Sequence, residues 1–388
     1  MQDGLGLTIL RVGMGPDGSF FNGNSAEIAT IAAAKAYGAT KIIGAAWSPP
    51  LSYKDNGDVN RGGHVYPEYY EAWATTLANF AKSNNLYAMS PQSEPDFASC
   101  GSAEPCIGDY PSTVYTAEEM VAFIKVLGPK LQAAGVKLIA PEPSQWLRLW
   151  TNRSACCSVP SNLPSPDPLD GKYDYGHVLS KDATAWGFVD IIGTHQYYSM
   201  AAEPWPTDVP QTKPLWMTEM AGMKWWPEGE PSSTIENGLA VAGWIHDALV
   251  NGDASAWLWW WYQAQMASNE GLFLNDGRDT KRHYVLGQFS KFIRPNYIRV
   301  SITGDIPSGV LLSAYKGDDG TVVIVAINKG SAAESVPLSF SGGIAPSSLV
   351  PWVTSASSNL ASTTAVTVSN GSFTAVLSAK SVTTFVGK

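Results

Sequence analysis

Three glutamates stand directly after runs of apolar residues. They are Glu94 in SPQSEP, Glu142 in IAPEP and Glu219 in LWMTEM. A carboxylate at the end of a buried strand is costly to leave unpaired, so each group needs a partner or a task. Cleavage of a glycosidic bond uses two carboxyl groups: one protonates the leaving oxygen, and the other attacks the anomeric carbon or activates water. For each glutamate taken alone, pairing with a structural arginine or capping of the next helix is the alternative.

The elements that must position these glutamates are short and apolar. Seven strand-like runs occupy Leu7–Val12, Thr40–Trp47, Leu86–Ser90, Val136–Pro141, Val189–Tyr197, Pro214–Met220 and Ser255–Tyr262. Their nearly continuous apolar character is typical of parallel strands that are covered on both faces. Repeated β-then-α units in this number predict a β/α barrel, in which catalytic residues gather where the strands end.

Helical patterns lie between these runs. Thr116 and Glu119 form a capping box, an apolar stripe follows, and Gly135 ends the predicted helix as a left-handed cap. The stripe consists of Met120, Phe123, Ile124, Leu127 and Leu131. A second stripe consists of Tyr70, Trp73, Leu77 and Phe80.

The character of the sequence changes after Pro295. The remaining residues are rich in Ser, Thr, Val and Gly, and helical periodicity is lost. Alternating runs such as Val322–Ile327 and Ser381–Val386 predict a β-sandwich. The chain therefore divides into a predicted barrel, residues 1–295, and a predicted C-terminal side sandwich, residues 296–388.

The composition of the chain limits the classes of molecule that it could bind. The net charge of -9 argues against nucleic acid, because phosphates require a basic surface. No segment has the pattern of a transmembrane helix or a signal peptide, and no membrane partner is expected. The chain has 15 Trp and 16 Tyr, and exposed aromatic rings stack on sugars, which favours a polysaccharide substrate. Phosphate-binding glycine loops and histidines at metal-ligand spacing are missing from the sequence, so neither a cofactor nor a metal is implied.

The four cysteines lie in loop-like segments rich in Gly, Ser and Pro. They are Cys100, Cys106, Cys156 and Cys157. Disulfides in a secreted protein are the favoured interpretation. Cys100 with Cys106 is the simplest pair, but four cysteines permit three connectivities, and pairing between the two loops remains open.

In these motifs the chain resembles glycoside hydrolase family 30, within a clan of retaining β/α-barrel glycosidases, and especially the family's xylanase branch. The motifs, in the family's order, are Leu7–Arg11, Trp47–Pro50, Glu94–Asp96, Gly193–Tyr197, Trp216–Glu219, Trp259–Tyr262, Lys281–Tyr284 and Phe292–Pro295. The resemblance implies that Glu94 is the general acid/base and Glu219 the nucleophile, about 5–5.5 Å apart. It places Glu94 in surroundings that raise its pKa, through burial and the nearby Glu219, while Glu219 stays ionised.

Further site residues follow from the resemblance. Arg11, His195 and Tyr197 are the candidate hydrogen-bond donors to Glu219, although Arg11 could instead pair with a structural carboxylate. Glu142 is interpreted as a structural hydrogen-bonding residue of the cleft wall. The candidate sugar-stacking residues are Trp47, Tyr198, Trp261 and Tyr262.

The chain departs from the family pattern at four places. Ser93 stands where the clan has an asparagine that binds the sugar 2-hydroxyl. The stretch Tyr262–Ala267 lacks the arginine with which glucuronic-acid-dependent xylanases hold the acid branch, and Met220–Trp226 lacks their early tyrosine. The family's first βα unit is also missing, since the chain opens where the second barrel strand is expected. A barrel without that unit has two open edges, which a homodimer partner, a rearranged terminus or a removed segment would cover.

The sequence thus predicts a secreted, retaining endo-β-1,4-xylanase on a (β/α)8-type barrel that lacks its first βα unit, and it predicts no dependence on glucuronic acid branches. One alternative keeps the mechanism and changes the glycan to a β-1,6-glucan, a β-1,6-galactan or glucosylceramide. A second alternative is a non-catalytic carbohydrate-binding protein. The retention of both Glu94 and Glu219 argues against the second, because a binding module has no use for the pair.

Overall fold

The computed structural model describes residues 4–99, 110–153, 169, 171–198, 201–222, 234–264, 270–342 and 345–388. These residues form two compact units. The barrel unit comprises Ile9–Met220 and Asn251–Leu258, and the sandwich unit comprises the other described residues. All four cysteines lie outside the described residues, so their pairing stays a prediction.

The barrel unit contains one parallel sheet whose strands follow chain order. The strands are β1 (Ile9–Met14), β2 (Lys41–Ala46), β3 (Ala88–Ser90), β4 (Lys137–Pro141), β5 (Ile191–His195), β6 (Leu215–Glu219) and β7 (Ala256–Trp257). Every one of the seven predicted runs is therefore confirmed as a strand, although β1 begins two residues later than its run and the other six strands are shorter than theirs. In this sheet β1 and β7 are the edges, so the described part of the chain supplies seven of the eight strands of a closed barrel.

Among the described residues, the barrel unit has six α-helices, which lie along the chain between successive strands of this sheet. They are α1 (Asn24–Ala36), α2 (Tyr70–Ser83), α3 (Ala117–Ala134), α4 (Trp146–Trp150), α5 (Tyr175–Lys181) and α6 (Ala183–Phe188). The predicted capping box is present at α3, where Glu119 N–H donates to Thr116 Oγ1 and Thr116 N–H donates to the Glu119 carboxylate. The predicted left-handed cap is also confirmed, since Gly135 has a φ of 72°. Both predicted apolar stripes are buried.

The parallel sheet has an apolar core that successive strands share. It consists of Ile43, Ala88, Ile139, Ile191, Trp216 and Leu258. Paired positions of neighbouring strands contribute to it, as Ile43 with Ala88 and Ile139 with Ile191 do. Burial of these side chains fixes the register, because a shift by one residue would turn each of them to the opposite face.

The sandwich unit begins with two helices and two short strands and continues with antiparallel strands. These elements are α7 (Ile235–Val250), β8 (Gln263–Ala264), β9 (Phe273–Leu274), α8 (Lys281–Ser290), β10 (Ile298–Val300), β11 (Val310–Lys316), β12 (Val322–Asn328), β13 (Glu334–Ser339), β14 (Ser348–Thr354), β15 (Ala361–Ser362), β16 (Val366–Thr367), β17 (Ser372–Leu377) and β18 (Ser381–Gly387). One sheet has the order β10-β11-β12-β18-β14-β15, with β16 beside β14, and β13 pairs with β17. A common apolar core takes side chains from both sheets, including Ile324, Val336 and Phe373, which confirms the predicted β-sandwich.

Helix α8 is tied to this sandwich by buried hydrogen bonds. Gln288 Nε2 donates to Thr354 Oγ1 at 2.9 Å, and Thr384 Oγ1 donates to the Gln288 carbonyl at 2.8 Å. The domain boundary at residue 295 stays a prediction. Within the described ranges, no helix combines the length and the apolar character that crossing a membrane requires.

The packing of α3 against α6 yields a stability prediction. A Cβ added at Gly128 would lie 2.3 Å from Cγ of Phe188, whereas one added at the exposed Gly187 would meet no atom within 4 Å. Gly128→Ala is expected to lower the free energy of unfolding by about 1–3 kcal/mol through overpacking. Gly187→Ala should leave it unchanged or raise it by up to about 1 kcal/mol, because alanine favours the helix. Urea denaturation of both variants checks this, and equal stabilities would contradict the described packing.

Candidate active site

The carboxyl ends of the parallel strands bring the polar residues of the barrel unit together. His195 and Glu219 are the last residues of β5 and β6, and Glu142 directly follows β4. Glu94 lies in the loop after β3, and Arg11 projects from β1. Parallel strands place their carboxyl ends at one edge of the sheet, which is why residues up to 208 positions apart come into contact.

Arg11 is the hub of this group. Its Nη1 donates to Glu219 Oε2 at 2.6 Å, and its Nη2 lies 3.2 Å from Glu142 Oε2 and 3.0 Å from Ser93 Oγ. The Arg11 guanidinium also lies 5.1 Å from the centre of the Trp47 ring. Burial disfavours the charged form, but Glu142 and Glu219 outweigh it and raise the pKa of Arg11. One permanent cation is therefore shared by two carboxylates.

Glu219 has a hydrogen-bond donor on each oxygen. Arg11 binds Oε2, and the Tyr197 hydroxyl donates to Oε1 at 3.0 Å. Burial raises the pKa of Glu219, while His195 and Arg11 act in the opposite direction. The sequence expectation that Glu219 stays ionised counted these donors and not the removal of water, and it stays a prediction. The two donors favour the ionised form and fix the carboxylate in one orientation.

Glu94 sits in a different environment. Its Oε1 lies 3.1 Å from Nδ1 of His195, and the Tyr110 hydroxyl donates to its Oε2 at 3.5 Å. Burial raises the pKa of Glu94 to about 8, and the charge of Asp96 adds to this while Arg11 opposes it. The raised pKa agrees with the sequence expectation, but the neighbouring charge that contributes most is Asp96 rather than Glu219. At neutral pH Glu94 carries a proton that it can donate.

The two carboxyl groups are close together. One carboxylate oxygen of Glu94, one of Glu219 and a ring nitrogen of His195 all lie within 4.8 Å of one another. This separation fits the short spacing of retaining glycosidases, about 5–5.5 Å, better than the inverting spacing of about 6.5–9.5 Å, which leaves room for a water molecule.

Among the described residues, the side chains of Glu94, His195 and Glu219 also lie close enough together to hold a metal ion. Glu219 already has a cation, since Arg11 lies 2.6 Å away. Burial lowers the pKa of His195, so its ring is neutral beside Glu94. Hydrogen bonds and charges of protein groups thus provide partners for all three, and the expectation of no metal and no cofactor stays a prediction.

The loop that carries Glu94 is anchored by a second buried ion pair. Arg148 Nη1 lies 2.8 Å from Asp96 Oδ2, and Ser144 donates to Asp96 through its N–H at 2.6 Å and its hydroxyl at 2.7 Å. These contacts join the loop after β3 to the segment after β4. Removing one partner would leave a buried charge uncompensated, which makes the arrangement rigid.

The other predicted site residues fall into two groups. In the barrel unit, Trp47 is buried and packs against Arg11, Ser93 is buried and accepts its hydrogen bond from Arg11, and Tyr198 has a φ of 66° directly after Tyr197. Trp261 and Tyr262 belong to the sandwich unit, where they are 42% and 62% exposed. Sugar contacts of these residues stay predictions.

Sequence reasoning missed two residues that act on Glu94. Tyr110 donates to it from 16 positions away, and no motif marks that tyrosine. Asp96 stands within the Glu94–Asp96 motif, so its spacing from Glu94 was a signal that could have been used. Glu142 was identified as a carboxylate at a strand end, but its bond to Arg11 was not foreseen.

Comparison with known proteins supports the resemblance to glycoside hydrolase family 30. A model described as the glycosyl hydrolase family 30 beta sandwich domain matches residues 298–385. The chain is 33% identical to glucuronoxylanase XynC of Bacillus subtilis (strain 168) over 398 residues, which cover 99% of this chain and 82% of that protein.

Solved structures agree. The family 30 subfamily 8 xylanase Xyn30A from Clostridium acetobutylicum matches with a TM-score of 0.81 at 30% identity, covering 99% of this chain and 90% of that one. A GH30 endoxylanase from Clostridium papyrosolvens matches with a TM-score of 0.76 at 32% identity and the same coverage. With relatives this similar along nearly its whole length, and with the family's sandwich domain matched to its C-terminal strands, this chain is a glycoside hydrolase that belongs to family 30.

Proposed function

We propose that this protein is an endo-β-1,4-xylanase that hydrolyses xylan with retention of configuration. The observation that carries the mechanism is the pair formed by Glu94 and Glu219, which lie within 4.8 Å and have different surroundings. The relatives named as xylanases support the substrate. A neutral acid beside an oriented carboxylate is the arrangement that double displacement requires.

The reaction proceeds in two steps. In the first, a Glu219 carboxylate oxygen attacks the anomeric carbon, the bond to the leaving oxygen breaks, and Glu94 gives its proton to that oxygen. A glycosyl ester of Glu219 results. In the second step Glu94, now a carboxylate, takes a proton from water as the water attacks the anomeric carbon, and Glu219 departs. Arg11 and Tyr197 keep Glu219 oriented, and the neutral His195 remains beside Glu94 in both of its protonation states.

The proposed substrate implies where the enzyme acts. Xylan is a polymer that does not cross membranes, so we propose that the enzyme acts outside the cell, where disulfides between its loop cysteines would persist. A homodimer that covers the edges of the parallel sheet also remains part of the proposal.

The first prediction concerns the catalytic pair. Glu219→Gln should lower kcat on xylan by about 10⁴-fold or more, because no nucleophile remains. Glu94→Gln should lower it by about 10²–10⁴-fold, because the leaving oxygen is no longer protonated. Reducing-sugar release from linear xylan measures both. Glu118→Gln, an exposed carboxylate on α3, is the matched control and should retain full activity. Activity that survives in Glu219→Gln would refute the proposed role, and activity of the wild type on β-1,6-glucan but not on xylan would refute the substrate.

The second prediction concerns pH. Because the pKa of Glu94 is raised to about 8, the acid form is lost as pH rises through that value, and kcat/KM should fall on the alkaline side. With an aryl xylobioside whose leaving group needs no proton, Glu94→Gln should show no such alkaline decline. The pH profiles of the two proteins on the two substrates provide the check. An alkaline decline that persists unchanged in the variant would assign it to another group.

The third prediction concerns substrate branches. The stretch Tyr262–Ala267 contains no cation, and Arg278 pairs with Asp276 through a 2.6 Å contact, while Lys224 lies outside the described residues. A carboxylate branch therefore lacks a bidentate arginine partner in that stretch. We expect kcat/KM on linear xylan and on glucuronoxylan to agree within about threefold, a difference of less than 1 kcal/mol. A much higher value on glucuronoxylan would show that the branch is required.

A further inference from the structure

Glu142 is the third carboxylate of the site, and the reaction described above gives it no step. Its side chain is fully buried, and its Oε2 lies 3.2 Å from Nη2 of Arg11. Burial would raise the pKa of Glu142, but the charge of Arg11 holds it below its usual range, so the group is ionised. The positive charge of Arg11 is therefore shared between Glu142 and Glu219, the proposed nucleophile.

The backbone of Glu142 also reaches the acid/base. Its carbonyl accepts the N–H of Glu94 at 3.1 Å, and its own N–H donates to the Gly193 carbonyl at 2.9 Å. Glu94 and Glu142 both have left-handed φ values, 53° and 63°, which are costly for residues other than glycine. These backbone contacts hold both residues in that conformation.

The sheet leaves space for the Glu142 side chain. A Cβ at Gly193 would lie 2.7 Å from Cγ of Glu142 and 2.6 Å from Cγ2 of Ile139. Any other residue at position 193 would therefore force the side chain of Glu142, that of Ile139 or both to shift. A glycine on β5 is needed for both side chains to keep their places.

We propose that Glu142 is a positioning residue that tunes the catalytic pair: by taking part of the charge of Arg11, it prevents that cation from over-stabilising the ionised nucleophile, and its negative charge helps to keep the proton on Glu94. This inference rests on the proposed function, whose two roles for Glu94 and Glu219 it takes as given. A carboxylate neutralised entirely by Arg11 would be a weaker nucleophile, since its electron pairs would be held more tightly.

The direction of the effect follows from the charges around the site. The titratable groups that face Glu219 and Glu142 are Arg11 from β1, Glu94 and Tyr110 from the segments after β3, His195 from β5 and Tyr197 after it. Among them Arg11 is the cation and His195 is neutral. Replacing Glu142 with a neutral residue makes the field at both glutamates more positive, so the pKa of Glu219 and the pKa of Glu94 should both fall.

The test uses Glu142→Gln, which keeps the size of the side chain and an oxygen acceptor for Arg11. We expect both the acidic and the alkaline limbs of the kcat/KM profile on linear xylan to move to lower pH by about one unit. The rate of inactivation by a 2-deoxy-2-fluoro-xylobioside, which labels the nucleophile, should show the same shift of the acidic limb. Glu142→Asp keeps the charge and should restore the limbs while kcat falls, because its shorter side chain positions Arg11 less well. Glu118→Gln changes the net charge equally and should leave both limbs in place.

The outcomes separate the two proposals. A wild type without xylanase activity, or an active Glu219→Gln, would overturn the proposed function itself. If those results stand as expected but Glu142→Gln loses only stability, with both limbs unmoved, then Glu142 is structural and the inference is wrong. Should Glu142→Gln fail to fold, Glu142→Met decides, since it removes the same charge and keeps a side chain of similar length. It should shift the limbs in the same direction, and unmoved limbs would overturn the inference.

Discussion

A buried arginine that must be neutralised is the constraint around which the barrel unit is organised. Arg11 lies on the first strand of the sheet, and its side chain is buried away from solvent. Two carboxylates at the ends of distant strands compensate its charge. Desolvation of a charged group costs several kcal/mol, which is recovered only if the partners are held in good geometry. The Trp47 ring and the Ser93 hydroxyl complete the surroundings of the cation. Glu219 is thus oriented by the same contacts that make the burial of Arg11 tolerable.

Glu94 and Glu219 differ because the cation is not shared equally. Glu219 is in direct contact with Arg11, whereas the side-chain partners of Glu94 among the described residues are the neutral His195 and Tyr110, and the charge of Asp96 acts on it. Two identical side chains a few ångströms apart can then hold different protonation states, which is the usual way in which a pair of carboxyl groups acquires separate roles. The surroundings that distinguish the two glutamates come from β1, from β5 and from the segments after β3.

The features that could be predicted from the sequence are those encoded over short distances. Apolar runs predicted all seven strands, and the spacing of Thr116, Glu119 and Gly135 predicted both ends of α3. Glu94 and Glu219 could be singled out because both follow strands and match family motifs, and their catalytic roles stay a proposal. The contact of Arg11 with Glu142 could not, because the residues are 131 positions apart and only the sheet brings them together. The same reason hides the contact of Asp96 with Arg148. The effect of Asp96 on the pKa of Glu94 is different, because Asp96 stands only two residues away and its contribution could have been anticipated.

The contacts of Arg11 with Glu142 and Glu219 also hold the open edge of the sheet in place. Strand β1 pairs on one side with β2, and on its other side the described sheet ends. Arg11 projects from this edge strand and binds Glu142 after β4 and Glu219 at the end of β6, so it fastens the edge to the far side of the sheet by charge rather than by backbone hydrogen bonds. Breaking a buried ion pair of this kind costs about 3–5 kcal/mol. Arg11 comes from β1, and Glu94, Glu142, His195 and Glu219 come from the ends of β3 to β6, so the seven described strands bring these five charged and titratable groups together.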